Sequence, residues 1–199
     1  MLLCHWYATG RIQYDESMTA FLPKFIFWLL FIPHVREPHF YCMHRVMHPW
    51  RTKHVPDIGR FLYKYVHSLH HKSYNTTAFS GTNMHPIEAT AYYSCGFVAV
   101  LFRCHPAIPL AIMIDAGVGA WLGHGGFDFP GSGNYYHHIH HMTFDANFGT
   151  DNVPIDWLLG TFASTESDVN KIWKNEKVGM ANNPYPVHAS RNELAKKAK

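Results

Sequence analysis

Three histidine boxes set the terms for any fold this chain adopts. "HRVMH" places His44 and His48 at i and i+4, "HSLHH" places His67, His70 and His71 at i, i+3 and i+4, and "HHIHH" repeats that spacing with His137, His140 and His141. On a helix, residues so spaced lie on one face. His138 is the odd member, turned about 100° away from His137. Unpaired imidazole is costly to bury, and ordinary packing has no need of eight on three faces. The usual reasons for such crowding are a metal, an acidic or nucleic-acid partner, or a low-complexity tract. Boxes with this period call for an all-α fold. Eight imidazoles on three helical faces suffice for two metal ions, each keeping a position open.

Composition separates these readings. The 199 residues give room for one domain, and the formal charge is only +3. Lys and Arg do not pile up on one element, so nucleic acid is not an expected partner. Seventeen histidines outnumber fourteen acidic residues, while aromatic and charged residues are each 16%. So low a charge fraction fits a chain partly in lipid. Cys4, Cys42, Cys95 and Cys104 form no CxxC pair, which excludes a zinc ribbon and reads as reduced thiols. The start, "MLLCHWYATGRIQYDES", has no uninterrupted apolar run and is not a secretory signal.

Two regions read as membrane-embedded: "TAFLPKFIFWLLFIP", from Thr19 to Pro33, and the thirty-seven residues from Ile87 to Gly123. A crossing takes ~20 helical residues, so the second suits one helix out and one back, with "RCHP" (Arg103 to Pro106) at the tip. Small residues in "DAGVGAW" allow close helix contact. A buried soluble hairpin is the alternative, and Asp115 and Glu88 lean toward it. Between the two regions, Arg45, Arg51, Lys53, Arg60, Lys64 and Lys72 face a single acid, Asp57, which makes this side cytosolic by the positive-inside rule. A hairpin returns to the side it left, so all three boxes share one face. The expected architecture is therefore one N-terminal hydrophobic segment plus a helical hairpin, under a cytosolic helical cap that carries the boxes.

The order HRxxH, HxxHH, HPxE, a lone His in a Gly-rich turn and HxxHH resembles the fatty acid hydroxylase / sterol desaturase superfamily. The matching pieces are "HFYCMHRVMH", "HSLHH", "SGTNMHPIE", "GHGGFD" and "HHIHHMTFDANFG", between His39 and Phe162 in a single domain covering 1–199. The resemblance implies an integral membrane di-iron oxygenase that takes electrons from a cytochrome b5-type donor. With O2 it would hydroxylate or desaturate a C–H bond of a sterol or fatty-acyl lipid. Two iron ions are the expected metals, and zinc can take their place in isolated protein. By position, His44, His48, His67, His70, His71, His137, His140 and His141 would be ligands, and His124 in "GHGGFD" the ninth. His85, Glu88, His138 and Asp145 would support them from outside, with Glu88 or Asp145 orienting a ligand imidazole. His5, His34, His39, His54, His105 and His188 match no box and read as surface residues. Tyr135, Tyr136, Phe127 and Phe144 would line a lipid entrance or anchor at the interface.

Departures from the family pattern also carry expectations. Only forty-three residues precede His44, which leaves three expectations open: a truncated N-terminal membrane region, a short isoform or a divergent member. Ala120 stands where fatty acid 2-hydroxylases carry a histidine, which favours the sterol-type branch. Membrane acyl-lipid desaturases and a non-catalytic zinc-binding membrane protein are the competing readings. Lys196 and Lys197 in "NELAKKAK" match a dilysine retrieval signal for the endoplasmic reticulum. The sequon at Asn75 is expected to stay unglycosylated on the cytosolic side.

Overall fold

The computed structural model describes residues 2–14, 17–50, 55–73, 76–130, 133–165 and 168–169. His54, Asn75, His188, Lys196 and Lys197 lie outside the described residues. Among the described residues every regular element is helical.

A short helix α1 (Leu2–Ala8) precedes α2 (Met18–Val46), which at 29 residues is about 43 Å long. Ser17 caps α2, accepting from Ala20 N–H, and Pro23, Pro33 and Pro38 lie inside it. Helix α3 (Ile58–Tyr65) starts at Asp57, which accepts from Arg60 N–H and Trp50 N–H at 2.9 Å each. A Cβ on Gly59 would stand 2.0 Å from the His48 carbonyl oxygen, so only glycine lets α3 pack this closely under the end of α2.

The region from Ile87 to Gly123 does fold out and back, but its first limb is not one helix. It comprises α4 (Pro86–Tyr93), a 3₁₀ turn (Ser94–Phe97) and α5 (Val98–Leu101). Gly96 explains the break, since a Cβ there would lie 2.9 Å from Met113 Cγ on the returning limb. The chain reverses at "RCHP", with Arg103 at φ 50°, and returns as α6 (Ala107–His124).

Apart from Asp115 and its last residue, His124, helix α6 is apolar all round, which suits a deep core or a bilayer. Its inner stripe steps by four residues through Ile108, Ile112, Ala116 and Ala120, all buried, and ends at His124. This stripe packs with Trp28 and Ile32 of α2 and Tyr92 and Cys95 of the first limb. Tyr92 O–H donates to the Ala116 carbonyl at 2.7 Å, giving its buried hydroxyl a partner. The outer stripe, Leu110, Ile114, Val118 and Leu122, is exposed, as are Leu22, Ile26 and Leu30 on α2. Among the described residues α6 is the one helix long and apolar enough to cross a membrane.

Helices α7 (Asn134–Thr143) and α8 (Ile155–Leu158) follow. Both α2 and α6 deliver their C-terminal ends to the place where α7 and the segment after α3 meet.

Candidate metal centre

Four elements supply nine buried imidazoles. His44 comes from the last turn of α2, His48 from just past its end, and His124 is the last residue of α6. His137, His140 and His141 lie on α7. His67, His70 and His71 lie on a 3₁₀ helix (His67–Lys72), where the sequence pattern predicts an α-helical face. Val66, at φ −124° and ψ −67°, breaks α3 and starts the tighter winding.

The nitrogen atoms fall into two groups, each within 4.8 Å: His44, His48, His67, His71 and His140 in one, and His70, His124, His137 and His141 in the other. The boxes are therefore divided between the groups, where the spacing predicts one face per box. The i, i+4 pairs stay together (His44 with His48, His67 with His71, His137 with His141). The i+3 member of the second and third boxes, His70 and His140, crosses to the other group. An i+3 side chain lies on the opposite flank of the first residue from an i+4 one, so a single box can serve two centres.

Tautomers follow from the outer partners. His44 Nδ1–H donates to the Phe148 carbonyl at 2.6 Å, His140 Nδ1–H to that of Ala146 at 2.7 Å, and His124 Nδ1–H to that of Ala120 at 2.7 Å. His67 Nδ1–H donates to Glu88 Oε1 at 2.7 Å. A carbonyl oxygen cannot donate, so in the neutral rings of His44, His140 and His124 Nε2 carries a bare lone pair. The inward nitrogens nevertheless crowd together. His71 Nε2 stands 2.9 Å from His67 Nε2 and 3.2 Å from both His48 Nε2 and His140 Nε2. In the second group, Nε2 of His70, His124 and His141 forms a triangle with sides of 3.0 to 3.2 Å. One proton bridges one pair of nitrogens, not three. His44 Nε2 is buried with no hydrogen-bond partner at all. Two imidazole nitrogens each ~2.0–2.1 Å from a common ion, at tetrahedral or octahedral angles, are roughly 2.9–3.4 Å apart. The spacing, the lone pairs and the orphaned nitrogen all fit metal ions, and an all-imidazole donor set suits Zn, Cu, Fe or Ni.

Electrostatics agree with that fit. Burial pushes His48, His70, His71, His137, His140 and His141 well below the ordinary histidine value, and the neighbouring imidazoles lower them further. The rings are therefore neutral at physiological pH, the state a metal ligand needs.

Of the four supporting residues expected from sequence, Glu88 is buried and holds His67. His85 instead caps α4, its Nδ1 accepting from Ile87 N–H at 3.2 Å. His138 and Asp145 are half-buried. His39 and His105, expected at the surface, are half-buried too: His39 bonds Ser94 Oγ at 2.9 Å, and His105 packs edge-on against Tyr14 and Phe21. His5 and His34 are exposed.

The sequence reading missed Asp156, 1% exposed, which accepts from Phe148 N–H, Gly149 N–H, Tyr136 O–H and Thr161 O–H at 2.6 to 2.8 Å. It thereby fixes the loop whose carbonyls hold His44 and His140. Asn147 braces the same loop from φ 55°, accepting from Ala163 N–H and donating to the carbonyls of Tyr136 and Ala163. No box motif marks either residue; an acid and an amide close behind a histidine box were the available signal.

A cavity of about 420 Å³ opens beside the two groups. His44, His67, His70, His124 and His137 form its polar end, and Phe40, Met43, Met47, Met84, Val118 and Leu122 its apolar wall. Tyr135, Tyr136, Phe127 and Phe144 are not among the cavity-lining residues. Tyr136 bonds Asp156, and Phe144 packs on His71 with ring centroids 4.7 Å apart.

A family model described as fatty acid hydroxylase matches residues 27–161. Among curated relatives, a Delta(7)-sterol-C5(6)-desaturase of Nicotiana tabacum is 32% identical over 62% of this chain and 48% of its own length. Methylsterol monooxygenase 1 of Danio rerio is 24% identical over 74% of this chain and 49% of its own. A fatty acid hydroxylase of Mycosarcoma maydis is 26% identical over 70% and 33%. The chain spans about half the length of the first two. No solved structure matches it.

Proposed function

This chain belongs to the fatty acid hydroxylase family, and on that premise we propose that it is an O2-dependent lipid oxidoreductase of the sterol-type branch. The observation that carries this reading is the meeting of nine buried imidazoles with an apolar-walled cavity. A protein that merely stored zinc would have no use for the cavity.

His44, His48, His67, His71 and His140 would hold one iron, and His70, His124, His137 and His141 the other. When bound, the irons supply the activation of dioxygen that an unactivated C–H bond requires. The chain does the rest. Phe148, Ala146, Ala120 and Glu88 fix the imidazoles in the tautomer that points Nε2 inward. Burial of all nine rings keeps water from the reacting carbon. The apolar wall holds the lipid body, and the open side of the cavity lets the remainder of a long substrate lie outside.

The surroundings follow from the same reading. The exposed stripes of α2 and α6 would face acyl chains, with the hairpin tip away from the histidines and the basic residues Arg45, Arg60, Lys64 and Lys72 on the cytosolic side. The endoplasmic reticulum is the natural address for a sterol-modifying enzyme. Electrons would arrive from a separate cytochrome b5-type protein docking on that cytosolic face.

The deciding experiment compares sterols and acyl lipids of cells with and without this chain, alongside His70→Ala, and measures metal in the purified protein. New hydroxyl or alkene positions that depend on His70, with about two irons per chain, are expected. Well under one metal per chain after gentle purification, with unchanged lipids, would sink the proposal.

A further inference from the structure

The first histidine box carries a cation between its two histidines, Arg45, and the fold gives it a definite place. Near the end of α2 its guanidinium lies over the Phe148 ring, with Cζ 4.9 Å from the ring centroid. Arg45 Nη1 also donates to the Pro49 carbonyl at 3.1 Å, just beyond the end of the helix. A cation at a helix C-terminus offsets the partial negative charge there, which by itself would be an ordinary capping role. Capping does not call for a buried ring under the guanidinium, nor for the contacts that ring makes.

Phe148 packs edge-on against three imidazoles: His48 with ring centroids 5.1 Å apart, His140 at 5.4 Å and His44 at 6.0 Å. All three belong to the five-histidine group. Phe148 is 1% exposed, so the path from the guanidinium through this ring to the imidazoles holds no solvent layer. Its two steps set an upper limit of about 10 Å between the guanidinium carbon and the centre of the His48 ring. A unit charge at roughly 10 Å, across an effective dielectric constant of about 20, biases a one-charge equilibrium by roughly tenfold or more. Negative charge reaches the same group. Glu88 accepts from His67 Nδ1–H at 2.7 Å, and Asp156 accepts from Phe148 N–H at 2.8 Å. Carboxylates so placed favour the more highly charged state of an ion held by these rings, and Arg45 opposes them.

We propose that Arg45 is a positioning residue for electron entry. Acting through Phe148, it holds a positive charge against the five-histidine group and raises the reduction potential of the iron held there, offsetting Glu88 and Asp156. The role rests on the lipid-oxidation reading and deepens it. Going from ferric to ferrous takes one electron from the separate one-electron donor, with no covalent bond made or broken. The guanidinium favours the ferrous side of that balance. It does not meet the substrate, for Arg45 is not among the cavity-lining residues.

The full chain, purified in detergent and loaded with iron, is titrated with a chemical reductant and mediators. Mössbauer spectra give the ferrous fraction, and metal content is measured beside it. At the poise that half-reduces wild type, Arg45→Gln should lower the ferrous-to-ferric ratio roughly tenfold, equivalent to about 59 mV for one electron. Arg45→Lys keeps the charge and should stay within about threefold of wild type. Glu88→Gln should move the ratio the other way. A wild-type potential in Arg45→Gln, or an equal shift in Arg45→Lys, overturns the role. Arg45→Met is a second neutral variant that still covers the ring; loss of iron by both neutral variants marks a structural clamp and also overturns it. If the potential is unmoved yet lipid products form in cells, the Arg45 role falls and the oxidation reading stands. If Arg45→Gln shifts as expected and no product forms, the Arg45 role stands and the reaction reading falls.

Discussion

Replacing Asp156 by Asn changes one atom and loosens the loop that orients two of the imidazoles. The carboxylate accepts four hydrogen bonds, Oδ1 from Phe148 N–H and Thr161 O–H, Oδ2 from Gly149 N–H and Tyr136 O–H. Asparagine keeps one carbonyl oxygen, enough for the first two. Its NH2 then faces Gly149 N–H and Tyr136 O–H. The phenol can turn to accept, but the backbone N–H cannot, so a buried donor stands against a donor. Losing one charge-assisted bond and stranding that N–H costs about 2–4 kcal/mol. In a chain of this size, that lowers the melting temperature by roughly 5–15 °C. The same loop carries the Phe148 and Ala146 carbonyls that hold His44 and His140, both in the five-histidine group. Loss of such outer partners weakens metal binding about 10–100-fold. Asp156→Asn should therefore retain one metal per chain, at His70, His124, His137 and His141, when wild type retains two after dialysis against a graded chelator. A variant that melts within about 1 °C of wild type and keeps both metals would refute the reasoning.

Further expectations use the same logic. Gly81 lies against the end of α6, where a Cβ would stand 2.2 Å from the Ala120 carbonyl oxygen and 2.9 Å from His124 Nδ1. Gly81→Ala should cost roughly 1–3 kcal/mol by overpacking and lower metal content with it, both readable on purified protein; an unchanged melt would show that the contact is slack. Glu88→Gln keeps an acceptor for His67 Nδ1–H and should retain most metal, while Glu88→Leu should not. Equal metal contents in the two would remove Glu88 from the account. For pH, the buried histidines sit below the ordinary 6.5 in the folded chain, so the unfolded chain binds more protons on acidification. Metal-free protein should hold its stability above pH 6.5 and lose it steadily below; a melting temperature flat from pH 8 to 5 would contradict the burial.

The all-helical fold and the residues of the centre were legible because histidine spacing is local and survives folding unchanged. The reversal at Arg103 was legible too, since charge and proline interrupt an apolar run there. The division of the second and third boxes between two groups was not. It depends on how α2, α6, α7 and the turn after α3 approach one another, and on the 3₁₀ winding of His67–Lys72, which Val66 initiates. Asp156 and Asn147 escaped for a similar reason. Their partners are mostly backbone groups, which leave no pattern in side-chain types.

Three of the four outer partners fixed above are backbone carbonyls, those of Phe148, Ala146 and Ala120. A carbonyl belongs to every amino acid, so point substitution at those positions cannot delete it. The orientation of His44, His140 and His124 is thus buffered against mutation in a way that a carboxylate partner is not, leaving Glu88 as the exposed flank. What can still move a carbonyl is a change in backbone angles. The vulnerable positions are then Phe144 and Asn147, the two non-glycine residues bracketing Ala146 that are held at φ 62° and 55°. A β-branched residue at either is strongly disfavoured at such angles and would rotate the peptide planes between them. Drift in this loop is therefore blocked most firmly at two positions that hold no metal themselves.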